Sequence, residues 1–170
     1  MTTIAILTGY ALFMLALITF IIRRQVKEGP FKVRRAVVLP AAMLAAGLFA
    51  DHAMWHRLST PLAITMLVVG LLVGAATGVI RARTMTVWRT ASGVITRGDR
   101  RTVIWWIASF ALRIVIMVAA GALGAAEGFG EAMLFAGVTF GVQSLVLARR
   151  AGMLGGRPLP VVADRDRVAA

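Results

Sequence analysis

The chain has 170 residues, 59% of them hydrophobic, and its mean hydropathy of +0.84 exceeds what a protein can cover with its own polar surface in water. Its net charge of +12 would suggest nucleic-acid binding in a soluble chain, but basic loops on one side of a bilayer give the same charge. The absence of cysteine excludes disulfides, thiolate metal sites and covalent haem attachment. We therefore predict an integral membrane protein with no nucleic-acid partner and no cofactor.

Five apolar segments predict an all-α bundle of transmembrane helices. Residues 4–22 carry no charge and, at roughly 1.5 Å per residue, would extend about 28 Å, enough to cross the hydrocarbon core. Pro40 and Pro61 lie early in the second and third segments, where a proline is tolerated, and Thr60 is a natural N-cap. The predicted spans are 4–22, 35–50, 61–80, 103–126 and 131–148, within a transmembrane domain of residues 1–150. Residues 151–170 are predicted to be a disordered cytoplasmic tail.

Positive charge predicts how the helices are oriented. Residues 23–35 and 81–101 each carry six Lys or Arg and residues 149–170 carry five, whereas the other two connections hold Arg57 alone. The positive-inside rule therefore places the N-terminus outside and the C-terminus in the cytoplasm. Trp105 and Trp106 lie at the cytoplasmic end of the fourth span, where aromatic interface residues are expected. The excess of Arg over Lys, with abundant Ala, Val and Gly, favours a bacterial source and hence a bacterial plasma membrane.

The connection between the third and fourth spans contains a predicted cytoplasmic β-hairpin. Residues 84–90 and 94–96 are rich in β-forming side chains, and Ala91-Ser92-Gly93 offers a turn between them. Because an isolated hairpin is marginally stable in water, we expect this one to pack on the bilayer surface or on a partner.

Small residues predict where the helices pack. Gly70, Gly74 and Gly78 recur every four residues in the third span, and Gly137 and Gly141 do the same in the fifth. In lipid, helices associate through close backbone approach across small residues rather than through the hydrophobic effect. We expect tight packing within one chain, with a homodimer as the alternative.

Arg113 is the most informative polar residue, because a mid-span arginine costs about 2.5–3.5 kcal/mol. Helical side chains lean toward the N-terminus of their own helix, so Arg113 should lean toward the cytoplasm, where Gln143 and Ser144 lie at a matching depth. No carboxylate lies in the interior of a predicted span, since Glu131 is the first residue of the fifth, so no buried ion pair within the chain is expected. Arg113 with Gln143 and Ser144 is our candidate site for an anion or lipid phosphate. The alternative is a structural arginine bonded to Gln143, carbonyls and water.

Other polar residues give weaker signals. His52 and His56 lie at i and i+4 beside Asp51, but three potential ligands are an incomplete set for a structural zinc, so no metal is predicted. Glu127 and Glu131 flank a Gly-rich turn and are interpreted as a simple polar loop rather than an acid–base pair. No nucleophile or phosphate-binding motif is present, and no catalytic residue is predicted.

The order of landmarks between residues 34 and 113 resembles that of the CcdC-like family of small bacterial multi-spanning membrane proteins. The matching residues are Arg34-Arg35, Pro40, Gly47, Gly70, Gly74, Thr84, Gly93, Arg97, Gly98 and Arg113. This family has no established biochemical activity, and its name reflects an association with cytochrome c maturation genes. The resemblance implies a membrane accessory role.

These observations favour a non-enzymatic accessory or scaffold subunit. Its basic hairpin would contact a membrane-protein partner or the headgroups of anionic lipids. The alternative is a small transporter or lipid-binding protein that uses Arg113 and Gln143 as its polar centre.

Overall fold

The computed structural model describes residues 29–91, 93–125 and 127–154, and most of these residues are helical. The elements in chain order are β1 (Gly29–Pro30), α1 (Val33–Phe49), α2 (Ala53–Arg57), α3 (Pro61–Thr84), β2 (Thr86–Thr90), β3 (Gly93–Arg97), α4 (Arg100–Ala122) and α5 (Phe129–Arg150). The first predicted span, 4–22, lies outside the described residues, as do Ser92 and the tail from residue 155 onward.

Three of the described helices are long and apolar enough to cross a membrane: α3, α4 and α5, with 24, 23 and 22 residues. They correspond to the third, fourth and fifth predicted spans. The second predicted span is a helix of 17 residues, α1, and its charge-free part runs only from Ala36 to Phe49, about 21 Å at roughly 1.5 Å per residue. Arg34 and Arg35 occupy the first turn of α1 and leave an uncharged stretch that is short for a membrane span. The described residues therefore do not support five membrane spans.

Capping residues explain where α3 and α4 begin. Thr60 accepts a hydrogen bond at its Oγ1 from the backbone N–H of Ala63, and Pro61 occupies the first helical position, as the sequence predicts. Asp99 caps α4, since its carboxylate accepts from the Thr102 N–H at 2.9 Å while Thr102 Oγ1 accepts from the Asp99 N–H. This cap starts α4 three residues earlier than predicted.

Helix α5 lies at the centre of the bundle. It packs along α1 on one side and along α3 on the other, and α4 packs on α3. Gly74 and Gly78 of α3 face α5: a β-carbon at Gly78 would lie 2.6 Å from the Thr139 carbonyl oxygen. On the α1 side, a β-carbon at Gly137 would lie 2.8 Å from Leu44 Cγ. The glycines thus let both neighbouring backbones approach α5 closely, the packing mode expected between helices in lipid.

The predicted hairpin is confirmed, and it gains a third strand. Strands β2 and β3 pair antiparallel from Thr86 opposite Arg97 to Thr90 opposite Gly93. Strand β1 pairs antiparallel with the other side of β3, so the strand order is β1-β3-β2. Pro30 is tolerated because β1 is an edge strand.

The two ends of the bundle differ in what closes them. The sheet end holds β1, β2 and β3, the start of α1, the end of α3, the start of α4 and the end of α5. The loop end holds α2 and the turn between α4 and α5. A small apolar core of Ala82, Met85 and Leu147 lies at the sheet end, with Phe31 packed against it.

Candidate functional site

An ion-pair cluster formed by Asp51, Arg57 and Glu131 fastens the loop end. Arg57 donates from Nε to Glu131 Oε1 at 3.0 Å and from Nη2 to Glu131 Oε2 at 2.8 Å, so two parallel bonds join the two side chains. Arg57 Nη2 also donates to Asp51 Oδ2 at 2.6 Å. The cluster links α2 and the end of α1 to the first turn of α5.

Backbone groups complete this loop-end cluster. The Gly130 N–H donates to Asp51 Oδ2 and the Gly128 N–H donates to Glu131 Oε2, each at 2.9 Å. The bond from Gly130, followed by the guanidinium of Arg57, holds the pKa of Asp51 below its usual value. Hydrogen bonds to Glu131 and then Asp51 raise the pKa of Arg57. The charges in this cluster are therefore satisfied internally.

Arg113 makes an ion pair with Glu127, which lies on the turn between α4 and α5. The side chains are 13% and 7% exposed, and the guanidinium lies 4.8 Å from the ring centre of Phe135. The sequence-based expectation that no buried ion pair forms within the chain is wrong, because the turn brings Glu127 against the helices. The simple polar loop predicted for Glu127 and Glu131 is likewise corrected, since each carboxylate pairs with an arginine.

Gln143 lies at a different level of the bundle from the guanidinium of Arg113. The Arg113 guanidinium is next to Gly70, whereas the backbone of Gln143 is next to Gly78. These two glycines are separated along α3 by about 12 Å at roughly 1.5 Å per residue. Gln143 is buried and donates from Nε2 to Met85 Sδ at 3.4 Å, and Ser144 beside it is half-buried. The predicted cytoplasmic lean of Arg113 toward Gln143 is thus not what the structure has.

Arg81 is the buried charge at the sheet end. It is 1% exposed, and its guanidinium carbon lies 3.9 Å from the ring centre of Trp106 and 5.9 Å from that of Phe140. Its Nε and Nη2 atoms have no hydrogen-bond partner among the described residues. Trp106, predicted as an interface residue, is instead 3% exposed beneath this arginine, whereas Trp105 is 38% exposed.

The sequence analysis assigned Arg81 to a cytoplasmic loop, and the structure corrects this. Helix α3 continues to Thr84, so Arg81 lies within it. A signal for its burial was present: Arg81 follows Thr77 by four residues and Gly78 by three, the spacings that share a helix face. That face is the small-residue face packed on α5.

Arg150, the last residue of α5, caps the C-terminal end of α3. Its Nη1 donates to the carbonyl oxygens of Ala82 and Met85, the latter at 2.7 Å. Carbonyls at a helix C-terminus have no partner within the helix, so a basic side chain stabilises them by hydrogen bonding and by opposing the helix dipole.

The exposed surface of the sheet end is strongly basic. We define the basic surface as its ten exposed Lys and Arg residues: Lys32, Arg34, Arg35, Arg83, Arg89, Arg97, Arg100, Arg101, Arg149 and Arg150. Asp99 is the one acidic residue described at this end. At the loop end the described acids outnumber the arginines by three to two, so charge is distributed very unevenly along the bundle.

Within the described residues, the histidines form no cluster with other potential metal ligands. His52 and His56 are both exposed at the loop end. Across residues 29–91, 93–125 and 127–154, no group of three or more His, Cys, Asp or Glu side chains could hold a metal ion.

Comparisons of the chain with protein-family models, curated proteins and solved structures found no match.

Proposed function

We propose that this chain is a non-enzymatic accessory or scaffold subunit of a bacterial plasma membrane, and that its basic surface contacts anionic headgroups or a partner protein on the cytoplasmic side. One observation carries the proposal: ten exposed Lys and Arg gather around the three-stranded sheet, while the charges of the loop end pair with one another. A surface of unbalanced positive charge attracts anionic lipids and acidic partners.

The orientation follows from the same asymmetry. The sheet joins two basic connections through strands β1 and β3, which more than sixty residues of sequence separate, and this supports their lying on one side of the membrane. The positive-inside rule makes that side the cytoplasm, with the C-terminus there and the N-terminus outside. Helix α1 runs antiparallel to α5, with Pro40 near Gly141 and Leu44 near Gly137. This neighbour supports α1 as a short span, and with residues 4–22 it would complete five.

The surroundings of Arg113 support a structural role for it. The guanidinium is paired with Glu127 and lies over Phe135, so its charge is already neutralised. A transported or bound anion at Arg113 would have to displace that carboxylate. The membrane accessory role implied by the resemblance to the CcdC-like family agrees with this proposal.

Cysteine labelling tests the orientation, because the natural sequence contains no cysteine. Arg89→Cys at the sheet end and Trp55→Cys at the loop end introduce one exposed thiol each. We expect a membrane-impermeant maleimide added to intact spheroplasts to label Trp55→Cys only, and to label both variants after lysis. Labelling of Arg89→Cys in intact spheroplasts would refute the orientation.

Charge reversal tests the role of the basic surface. The double variant Arg89→Glu and Arg101→Glu alters the sheet end, and His56→Glu is a matched control at the loop end. Each basic residue near an anionic surface contributes about 1 kcal/mol, so the loss of two should reduce the anionic lipid or cross-linked partner retained during affinity capture about thirtyfold. Equal retention by wild type, double variant and control would contradict the proposal.

A further inference from the structure

Two N–H groups of Arg81 point the same way and lack an acceptor among the described residues. Nε and Nη2 carry the two N–H groups on one edge of the planar guanidinium, and this edge presents parallel donors to any group beside it. Both nitrogens are buried and neither has a hydrogen-bond partner among the described residues. The ring of Trp106, 3.9 Å from the guanidinium carbon, covers a face of the guanidinium and leaves the edge as the place for an acceptor.

A second arginine in the same protein, Arg57, shows which groups bind the Nε–Nη2 edge of a guanidinium. In Arg57 the equivalent atoms, Nε and Nη2, donate to the two carboxylate oxygens of Glu131 at 3.0 and 2.8 Å. Two oxygens on one central atom match the spacing of the two donors, which is why carboxylate and phosphate groups are the preferred partners of arginine.

The charge of Arg81 also needs to be neutralised. A guanidinium does not deprotonate in proteins, and an isolated buried charge is strongly unfavourable unless an opposite charge accompanies it. None of the described carboxylates serves this purpose. Asp51 and Glu131 pair with Arg57, Glu127 pairs with Arg113, and Asp99 caps α4.

We propose that the Nε–Nη2 edge of Arg81 is the binding site of an oxyanion, a carboxylate or phosphate group, held between α3, α4 and α5 near the sheet end. Arg81 lies in the last turn of α3, the turn that also carries Arg83 of the basic surface, and we expect the group to reach it from that end. The oxyanion is either the phosphate of a lipid headgroup or a free solute, and both present the same pair of oxygens. The site is independent of whether the basic surface binds a partner.

Thermal unfolding of the full-length protein in a neutral detergent, followed by tryptophan fluorescence, tests the site. Sodium acetate or phosphate is compared with sodium chloride at equal ionic strength. Saturating oxyanion should raise the wild-type midpoint by roughly 5 °C over chloride. Arg81→Met should abolish the rise, whereas Arg83→Met, a matched variant of an exposed arginine in the same turn, should keep it. Arg81→Lys retains the charge but not the parallel donors, and should weaken the apparent affinity about tenfold.

A second arm distinguishes the two sources of the oxyanion. Phosphatidylglycerol is added to delipidated protein, and the bound lipid is counted by native mass spectrometry. One lipid that is lost in Arg81→Met and kept in Arg83→Met identifies a headgroup phosphate. A response to acetate or inorganic phosphate without such a lipid identifies a solute.

Three results would overturn the proposal. The first is no difference between oxyanion and chloride in wild type and no Arg81-dependent lipid. The second is an oxyanion response that Arg81→Met retains in full. The third is a response that appears only after Glu28, Asp164 and Asp166, which lie outside the described residues, are replaced by their amides, since the chain itself would then supply the acceptor. Arg81→Met is expected to fold, because its apolar stem keeps the contact with Trp106.

Discussion

The loop end and the sheet end of this bundle each hold an arginine between helices, but the surroundings of the two charges are opposite in kind. Arg57 is part-exposed and meets two carboxylates, one of them through two parallel bonds. Arg81 is almost wholly buried and meets aromatic rings, and two of its nitrogens have no acceptor in the part of the chain that the structure describes. A paired arginine fastens elements together, whereas an unpaired buried one marks a place where a further negative group is needed.

The largest effect on stability is expected when Arg57 loses the carboxylate that accepts its two parallel hydrogen bonds. Glu131→Gln removes the charge that holds both Nε and Nη2 while keeping the shape of the side chain. We expect a loss of about 3 kcal/mol in the free energy of unfolding, toward the lower limit for broken buried pairs because Arg57 is partly exposed. In a protein of this size the loss lowers the thermal midpoint by roughly 9 °C.

A second substitution serves as the control for this loss. The double variant Glu131→Gln with Arg57→Met should lose less stability than the sum of the two single losses, because the pair between Arg57 and Glu131 can be lost only once. A Glu131→Gln midpoint within about 1 °C of wild type would show that the loop-end cluster does not fasten the bundle.

The second prediction concerns the helix packing between the two ends of the bundle. Gly78→Ala would bring a β-carbon to 2.6 Å from the Thr139 carbonyl oxygen, so α3 and α5 must move apart one turn from Arg81. Forced overpacking of this kind costs about 2 kcal/mol. Gly141→Ala is the matched control, since its β-carbon would meet Pro40 at an ordinary 3.5 Å.

Thermal unfolding measures the stability of both glycine variants. In a background in which Trp55, Trp88 and Trp105 are replaced by Phe, the quenching of tryptophan fluorescence by acrylamide reports access to Trp106 under Arg81. We expect Gly78→Ala alone to increase that access. If the two variants lose equal stability, close approach at Gly78 is not what sets the spacing of α3 and α5.

The parts of the fold that sequence predicted are those set by local patterns. Thr60 and Pro61 specify the start of α3 through their own backbone and side-chain groups, and the hairpin follows from β-forming runs around a turn. Strand β1 could not be predicted in this way, because a two-residue strand that contains Pro30 has no strand propensity of its own and forms only where β3 provides a partner.

The charged sites were harder to predict because they depend on distant contacts. The pairing of Arg113 with Glu127 requires the turn between α4 and α5 to place the carboxylate against the helices, and no periodicity specifies that turn. Arg81 is the first charged residue after the uncharged stretch 61–80, so the distribution of charge along the sequence predicted that it lies in a loop. Its position on the same helix face as Gly74 and Gly78 was the better guide, because helix packing and not charge decides which side of α3 is buried.

The third prediction concerns Arg113, which pairs with a carboxylate as Arg57 does but lies in the middle of a long helix, α4. Glu127→Gln should cost about 1.5 kcal/mol, less than Glu131→Gln, because Arg113 keeps its contact with the ring of Phe135 and the turn can adjust. Thermal midpoints of Glu127→Gln, Arg113→Met and the double variant form a cycle. Additive losses in that cycle would mean that the two side chains do not interact.

The smallest loss of stability is expected at Arg81, and it gives the comparison its sharpest test. In delipidated protein without added oxyanion, Arg81→Met should cause no loss in the free energy of unfolding, because it removes an unneutralised buried charge, leaves no described acceptor without its donor, and methionine fills much of the same apolar space. The same substitution at Arg57 leaves Asp51 and Glu131 without their shared cation. Paired unfolding measurements of Arg57→Met and Arg81→Met should therefore differ by roughly 5 °C or more in midpoint. A loss at Arg81 as large as that at Arg57 would mean that the charge of Arg81 is already satisfied within the protein.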